Sequence, residues 1–111
     1  MKKRKKTRKI KEKSNANSGI NSVLNDFYPE ASLDYHEFGM LDHFEIEKLL
    51  NDFLEDCYIN KLHNVLVITG KGQVVRPLVG RLLKNHKLVK SFKTAGYFNG
   101  QNGAYEVSLI D

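Results

Sequence analysis

Residues 64–72 read Asn64-Val65-Leu66-Val67-Ile68-Thr69-Gly70-Lys71-Gly72. The unbroken apolar run from Val65 to Ile68, three-quarters of it β-branched, predicts a strand over 64–69 covered on both faces or nearly so. Gly70-Lys71-Gly72 then turns the chain. A helical pattern follows at once over 74–85, with Val75, Leu78, Val79, Leu82 and Leu83 on one face. Pro77 is tolerable there only because it lies near the first turn.

The segment before this strand carries the longest apolar stripe. Ile46, Leu49, Leu50, Phe53, Leu54 and Cys57 recur at i, i+3, i+4, i+7, i+8 and i+11, which predicts a helix over 42–58. Asp42 and Glu45 have the spacing of a capping box, and acids crowd the first turns as the helix dipole favours. Residues 31–37 alternate, with Leu33 and Tyr35 against Ser32 and Asp34, and read as a first strand that His36 helps to close. Residues 88–94 alternate as a third strand. Asn99-Gly100-Gln101-Asn102-Gly103 is turn chemistry, and residues 104–110 form the last strand. The order is therefore β-α-β-α-β-β. Two crossovers imply parallel neighbours, and a closing hairpin adds an antiparallel edge. The expected fold is an α/β (α+β) two-layer sandwich: a four-stranded mixed sheet with both helices on one face.

Charge divides the chain into three. Its 111 residues carry a formal +5. Residues 1–13 hold nine bases and one acid, hence +8; residues 14–60 sum to −9 and residues 61–111 to +6. Residues 1–19 cannot bury a core and read as a basic disordered arm. Residues 20–30 read as a linker, with Val23, Leu24, Phe27 and Tyr28 able to form a short docked helix. The domain is 31–111. A lone cysteine, Cys57, excludes an internal disulfide, and its place on the apolar stripe makes it a core residue. No apolar run approaches the roughly 18 residues of a membrane span, so no membrane partner is expected. The chain is expected in the cytoplasm, or in the nucleus of a host that has one.

The chemistry concentrates at two places. Two glycines between a strand and a helix let the backbone approach a phosphate, and Lys71 adds a mobile charge. Thr69, Arg76, Arg81 and Lys84 extend this candidate nucleic-acid surface. The spacing is neither that of a nucleotide P-loop nor that of a dinucleotide fingerprint. The competing reading is a plain tight turn. Asp34 and His36, two apart on a strand, share a side. There the carboxylate can orient the imidazole for acid–base work on a phosphodiester. The same pair could instead ligate a divalent metal with Glu37 or His43, or simply satisfy a strand end.

Leu33-Asp34-Tyr35-His36, Thr69-Gly70-Lys71-Gly72, the helix from Arg76-Pro77 to His86, and Gly103 to Leu109 together resemble the Smr (small MutS-related) family over about 31–111. The resemblance implies a fold similar to the C-terminal domain of translation initiation factor 3. It also implies nucleic-acid binding, and in several members cleavage of DNA or RNA, some of it on ribosome-associated mRNA. By match, Asp34 and His36 become catalytic candidates and Gly70 and Gly72 binding candidates. The chain departs from the pattern where Glu37 follows the histidine in place of glycine. It departs again at Thr69, which replaces a histidine and cannot shuttle a proton near neutral pH. Three readings follow: an endonuclease, a non-catalytic nucleic-acid or ribosome-binding module, and a protein-docking domain whose acidic first helix or linker is the contact.

Overall fold

The computed structural model describes residues 27–96 and 99–111. The basic arm and most of the linker, including its docked helix, lie outside the described residues. Strand β1 (Ala31–Asp34) leads through a 3-10 turn (Tyr35–Phe38) into helix α1 (His43–Ile59). Strand β2 (Asn64–Ile68), helix α2 (Val75–Lys84), strand β3 (Val89–Thr94), a second 3-10 turn (Gln101–Gly103) and strand β4 (Ala104–Leu109) complete the fold. The four-stranded mixed sheet and two helices are those expected.

The strand order corrects the expectation in one respect. It is β1-β2-β4-β3. β1 and β2 are parallel, and β4 runs antiparallel to both β2 and β3. The last strand therefore inserts between β2 and β3 and is central, while β3 takes the edge. Burial explains the exchange. β4 buries Ala104, Glu106, Val107 and Leu109, whereas β3 exposes Lys90, Ser91, Lys93 and Thr94. Lysines on an edge strand also discourage pairing with a further chain. The alternation expected for β3 is broken by a register shift between Val89 and Ser91, which brings Val89 and Phe92 to the helical side.

Both helices pack on one face. Ile46, Leu50, Phe53, Leu54 and Cys57 of α1 are buried with Val79 and Leu83 of α2 against Leu33, Val65, Val67, Val107 and Leu109. Each fully buried aliphatic or aromatic side chain contributes about 1.5–3 kcal/mol. Leu50→Ala, at 0% exposure, is thus expected to cost about 2–5 kcal/mol. The capping box forms as its spacing implies. Asp42 accepts from the Glu45 N–H at 2.8 Å, and Glu45 accepts from the Asp42 N–H at 2.9 Å. On the opposite face of the sheet, Leu66, Ala95 and Ala104 are buried with Ile68 beside them, so β2 is covered on both sides.

Candidate functional site

The first motif forms a pair, though not by strand alternation. β1 ends at Asp34, and Asp34 caps the 3-10 turn that follows. Its Oδ1 accepts both the His36 backbone N–H at 2.9 Å and His36 Nδ1–H at 2.8 Å. A carboxylate offers no proton to this bond, so Nδ1 carries one, and in the neutral form of the ring the lone pair is on Nε2. The same carboxylate thus ends the strand and fixes the imidazole.

That free nitrogen faces the second motif. β1 and β2 run side by side, with Asp34 opposite Ile68, so the chain after β2 passes the end of β1. A Cβ built on Gly70 would lie 2.7 Å from His36 Nε2 and 3.3 Å from Cε1. Gly70 also has φ +79°, a left-handed conformation that favours glycine. Only glycine meets both demands. The two motifs therefore form one edge, open to solvent: the His36 side chain is 63% exposed and that of Asp34 32%.

Gly103, which the sequence placed in a turn and at the start of the closing segment without a role at the site, fixes the loop. Its carbonyl accepts from the N–H groups of Thr69 and Gly70, both at 2.9 Å. The Thr69 hydroxyl donates to the Gly70 carbonyl at 2.7 Å, and the residue is 6% exposed. Thr69 thus holds the turn together and does not present its hydroxyl to a ligand in this arrangement. The N–H groups left for an anion lie further on. Val74, Val75 and Arg76 open α2 without a side-chain cap, and Pro77 has no N–H to satisfy. Lys71 and Gly72 are exposed beside them.

The basic residues separate. Arg76 packs inward. Its guanidinium lies 4.3 Å from the Tyr105 ring centre and donates to Thr94 Oγ1 at 3.1 Å. Tyr105 in turn donates to the Arg76 carbonyl at 3.2 Å, so the pair pins the start of α2 to the sheet. Arg81 and Lys84 are exposed, but they stand about 9 and 13 Å along the helix from its first residue. Asp34, His36, Gly70 and Lys71 are the residues this geometry brings together. Among the described residues, no three His, Cys, Asp or Glu side chains converge on a metal-sized site. Glu37 and His43 accordingly do not complete a ligand set around Asp34 and His36.

Glu106 is a further residue that sequence did not single out. Its side chain is 1% exposed and accepts from Gly96 N–H at 2.8 Å and Asn99 Nδ2 at 3.0 Å, with Lys93 Nζ 3.9 Å away. It anchors the connection between β3 and β4 that ends at Gly103. A glutamate within a strand carries no signal of its own for burial, and only the Asn- and Gly-rich stretch upstream offers donors for it.

The chain is similar to known proteins in sequence and in fold. Endonuclease MutS2 of Caldicellulosiruptor saccharolyticus is 40% identical over 63 residues, which is 56% of this chain and 8% of that protein. Endonuclease MutS2 of Clostridium kluyveri is 33% identical over 70 residues, 62% of this chain and 9% of that one. The chain spans less than a tenth of these curated relatives. Among solved structures, the Smr domain of Thermus thermophilus MutS2 superposes with a TM-score of 0.60 at 26% identity. That match covers 64% of this chain and 90% of the domain. YdaL, a stand-alone small MutS-related protein of Escherichia coli, gives 0.66 at 25% identity, covering 95% of this chain and 83% of YdaL. The Smr domain model matches residues 33–110, from the strand that ends at Asp34 to the close of β4, and the chain belongs to that family.

Proposed function

We propose that this chain binds nucleic acid and cuts its phosphodiester backbone at the edge formed by Asp34, His36 and the Gly70–Gly72 turn. The observation that carries the reading is the placement of His36 Nε2 over Gly70 while Nδ1 is held by Asp34. The similarity to proteins named endonucleases supports it. In this reading a phosphate lies at the turn, held by Lys71 and the free N–H groups that open α2. His36 Nε2 takes the proton of the attacking hydroxyl, the new P–O bond forms, and the leaving oxygen departs with a proton returned from the imidazolium or water. Asp34 keeps the ring in register and balances its transient charge. Such acid–base help is worth about 10²–10⁴ in rate.

One observation favours a second reading, a binding module without cleavage. Thr69 stands where a second acid–base group would complete the edge, and its hydroxyl is spent within the turn. Both readings require binding, which the arm and Lys71 would make strongly salt-dependent. Anisotropy of a labelled oligonucleotide across a salt series tests this. Affinity is expected to fall linearly on a log–log plot, and the slope to shrink when residues 1–13 are removed. A flat dependence would refute phosphate contact.

A further inference from the structure

Among the described residues, six large hydrophobic side chains are exposed: Met40, Phe44, Tyr58, Ile59, Val74 and Ile110. Tyr58 and Ile59 end α1 and Ile110 follows β4, so these three lie at the far end of the sheet. Met40, 97% exposed, and Phe44, 73% exposed, belong to the connection between His36 and the first turn of α1. Val74 belongs to the connection that opens α2. These two connections frame the candidate site.

A single exposed apolar residue needs no explanation. Here the exposure is built in. Phe38 and Leu41 pack against the core, with Gly39 at φ +71° turning the chain between them. The Tyr35 hydroxyl, buried, donates to the Ile46 carbonyl at 2.8 Å, tying the residue beside His36 to the first turn of α1. The backbone on either side of Met40 and Phe44 is thus held, and their side chains are left outside it.

The neighbouring chemistry indicates the occupant. Across the edge lie Lys71 and the start of α2, which suit a phosphate. On the Phe44 side lie Asp42 and Glu45, which repel one. An exposed aromatic side chain next to a basic phosphate seat fits the base of a nucleotide whose phosphate is held opposite, and the two carboxylates, engaged with each other's backbone N–H groups, keep the phosphate on the Lys71 side. A duplex keeps its bases stacked inside and offers Phe44 no ring face. We propose that Phe44, with Met40 beside it, is a stacking platform, and that the site takes single-stranded nucleic acid with one unpaired base on the Phe44 ring. The inference rests on the reading of the site as a nucleic-acid site.

The chain has no tryptophan, so Phe44→Trp supplies a single indole reporter at the platform. The probes are a mixed-sequence single-stranded 12-mer, as RNA and as DNA, and the same strands annealed to their complements. Saturation with the single strand is expected to quench the indole emission. Phe44→Ala should weaken single-strand binding about 5- to 150-fold, the usual worth of one stacked base, and duplex binding less than about twofold. Phe44→Tyr should restore most of the loss. Unchanged emission together with unchanged single-strand affinity in Phe44→Ala, while both probes still bind with salt dependence, overturns the platform alone. That outcome would leave the exposed face to a protein partner. Failure of the wild-type chain to bind any probe overturns the functional reading as well.

Discussion

Replacing Gly70 by alanine strains the structure in two separable ways. Gly70 sits at φ +79°, where an L-residue costs about 1–2 kcal/mol. The new methyl would also stand 2.7 Å from His36 Nε2, well inside contact distance. The backbone cannot yield easily, because the Thr69 and Gly70 N–H groups are both bonded to Gly103. The His36 ring can, since it is largely exposed, and it would swing away from the loop and from Asp34. Stability should therefore fall by the backbone cost alone, about 1–2 kcal/mol, or a melting shift of roughly 5–15 °C for a domain this size. Cleavage, in contrast, should fall about 10²–10⁴-fold, as though the histidine had been removed. Gly72→Ala is the control for the stability effect alone: nothing lies within 4 Å of its Cβ and its φ is not left-handed. Thermal unfolding and a single-turnover nuclease assay on the same preparations read the two effects. If Gly70→Ala keeps full cleavage, or if Gly72→Ala melts as early, the argument that His36 and Gly70 share one packed edge is refuted.

Three further outcomes follow from individual contacts. Asp34→Asn keeps a side-chain acceptor for the 3-10 turn but no longer holds Nδ1–H with a charge; the fold should survive within about 1 kcal/mol while kcat drops and KM does not. A Cβ on Gly80 would meet the Tyr105 hydroxyl at 2.7 Å. Gly80→Ala should therefore forfeit its helix-propensity gain of about 1 kcal/mol in the wild type and recover part of it in Tyr105→Phe, which a double-mutant cycle in urea resolves. His86 is held neutral: Nδ1 accepts the Leu88 N–H at 3.2 Å and Nε2–H donates to Asn51 at 3.0 Å. Partial burial, chiefly, and nearby Lys87 lower its pKa from 6.5 against the opposing pull of Glu55. The unfolded chain then binds the extra proton first, so this contribution is complete above pH 6.5 and is lost as the pH falls toward the folded value. His86→Gln should flatten that part of the stability profile.

The sequence was most legible where one physical rule acted alone. The α1 stripe, its capping box and the doubly covered β2 follow from periodicity and local hydrogen bonding. Strand order did not, because chain order is silent on whether a last strand joins the edge or enters the middle. That was decided by which strand could be buried, and β3 with its lysines could not. At the site, Asp34 and His36 were rightly paired by residue type but for a different geometric reason. The carboxylate stops the strand and draws the histidine back over it, a local bond that alternation does not anticipate. Arg76 looked like one more cation on a basic helix. Its ring contact to Tyr105, far along the chain, turns it into a packing element. Gly103 and Glu106 stood in segments that the sequence marks, but their contacts were not legible for the same reason: each acts on a loop that only the folded sheet brings near.

If Asp34, His36 and the glycine turn are one phosphodiester-cutting site, as proposed, His36 is needed for cleavage and not for binding. Single-turnover cleavage of labelled RNA and DNA by the wild-type chain and by His36→Ala, with affinity measured on the same samples, tests it most directly. Cleavage by the wild type, a loss of about 10²–10⁴-fold in the variant and equal affinity for both are expected. Equal cleavage by the two proteins would contradict the proposal.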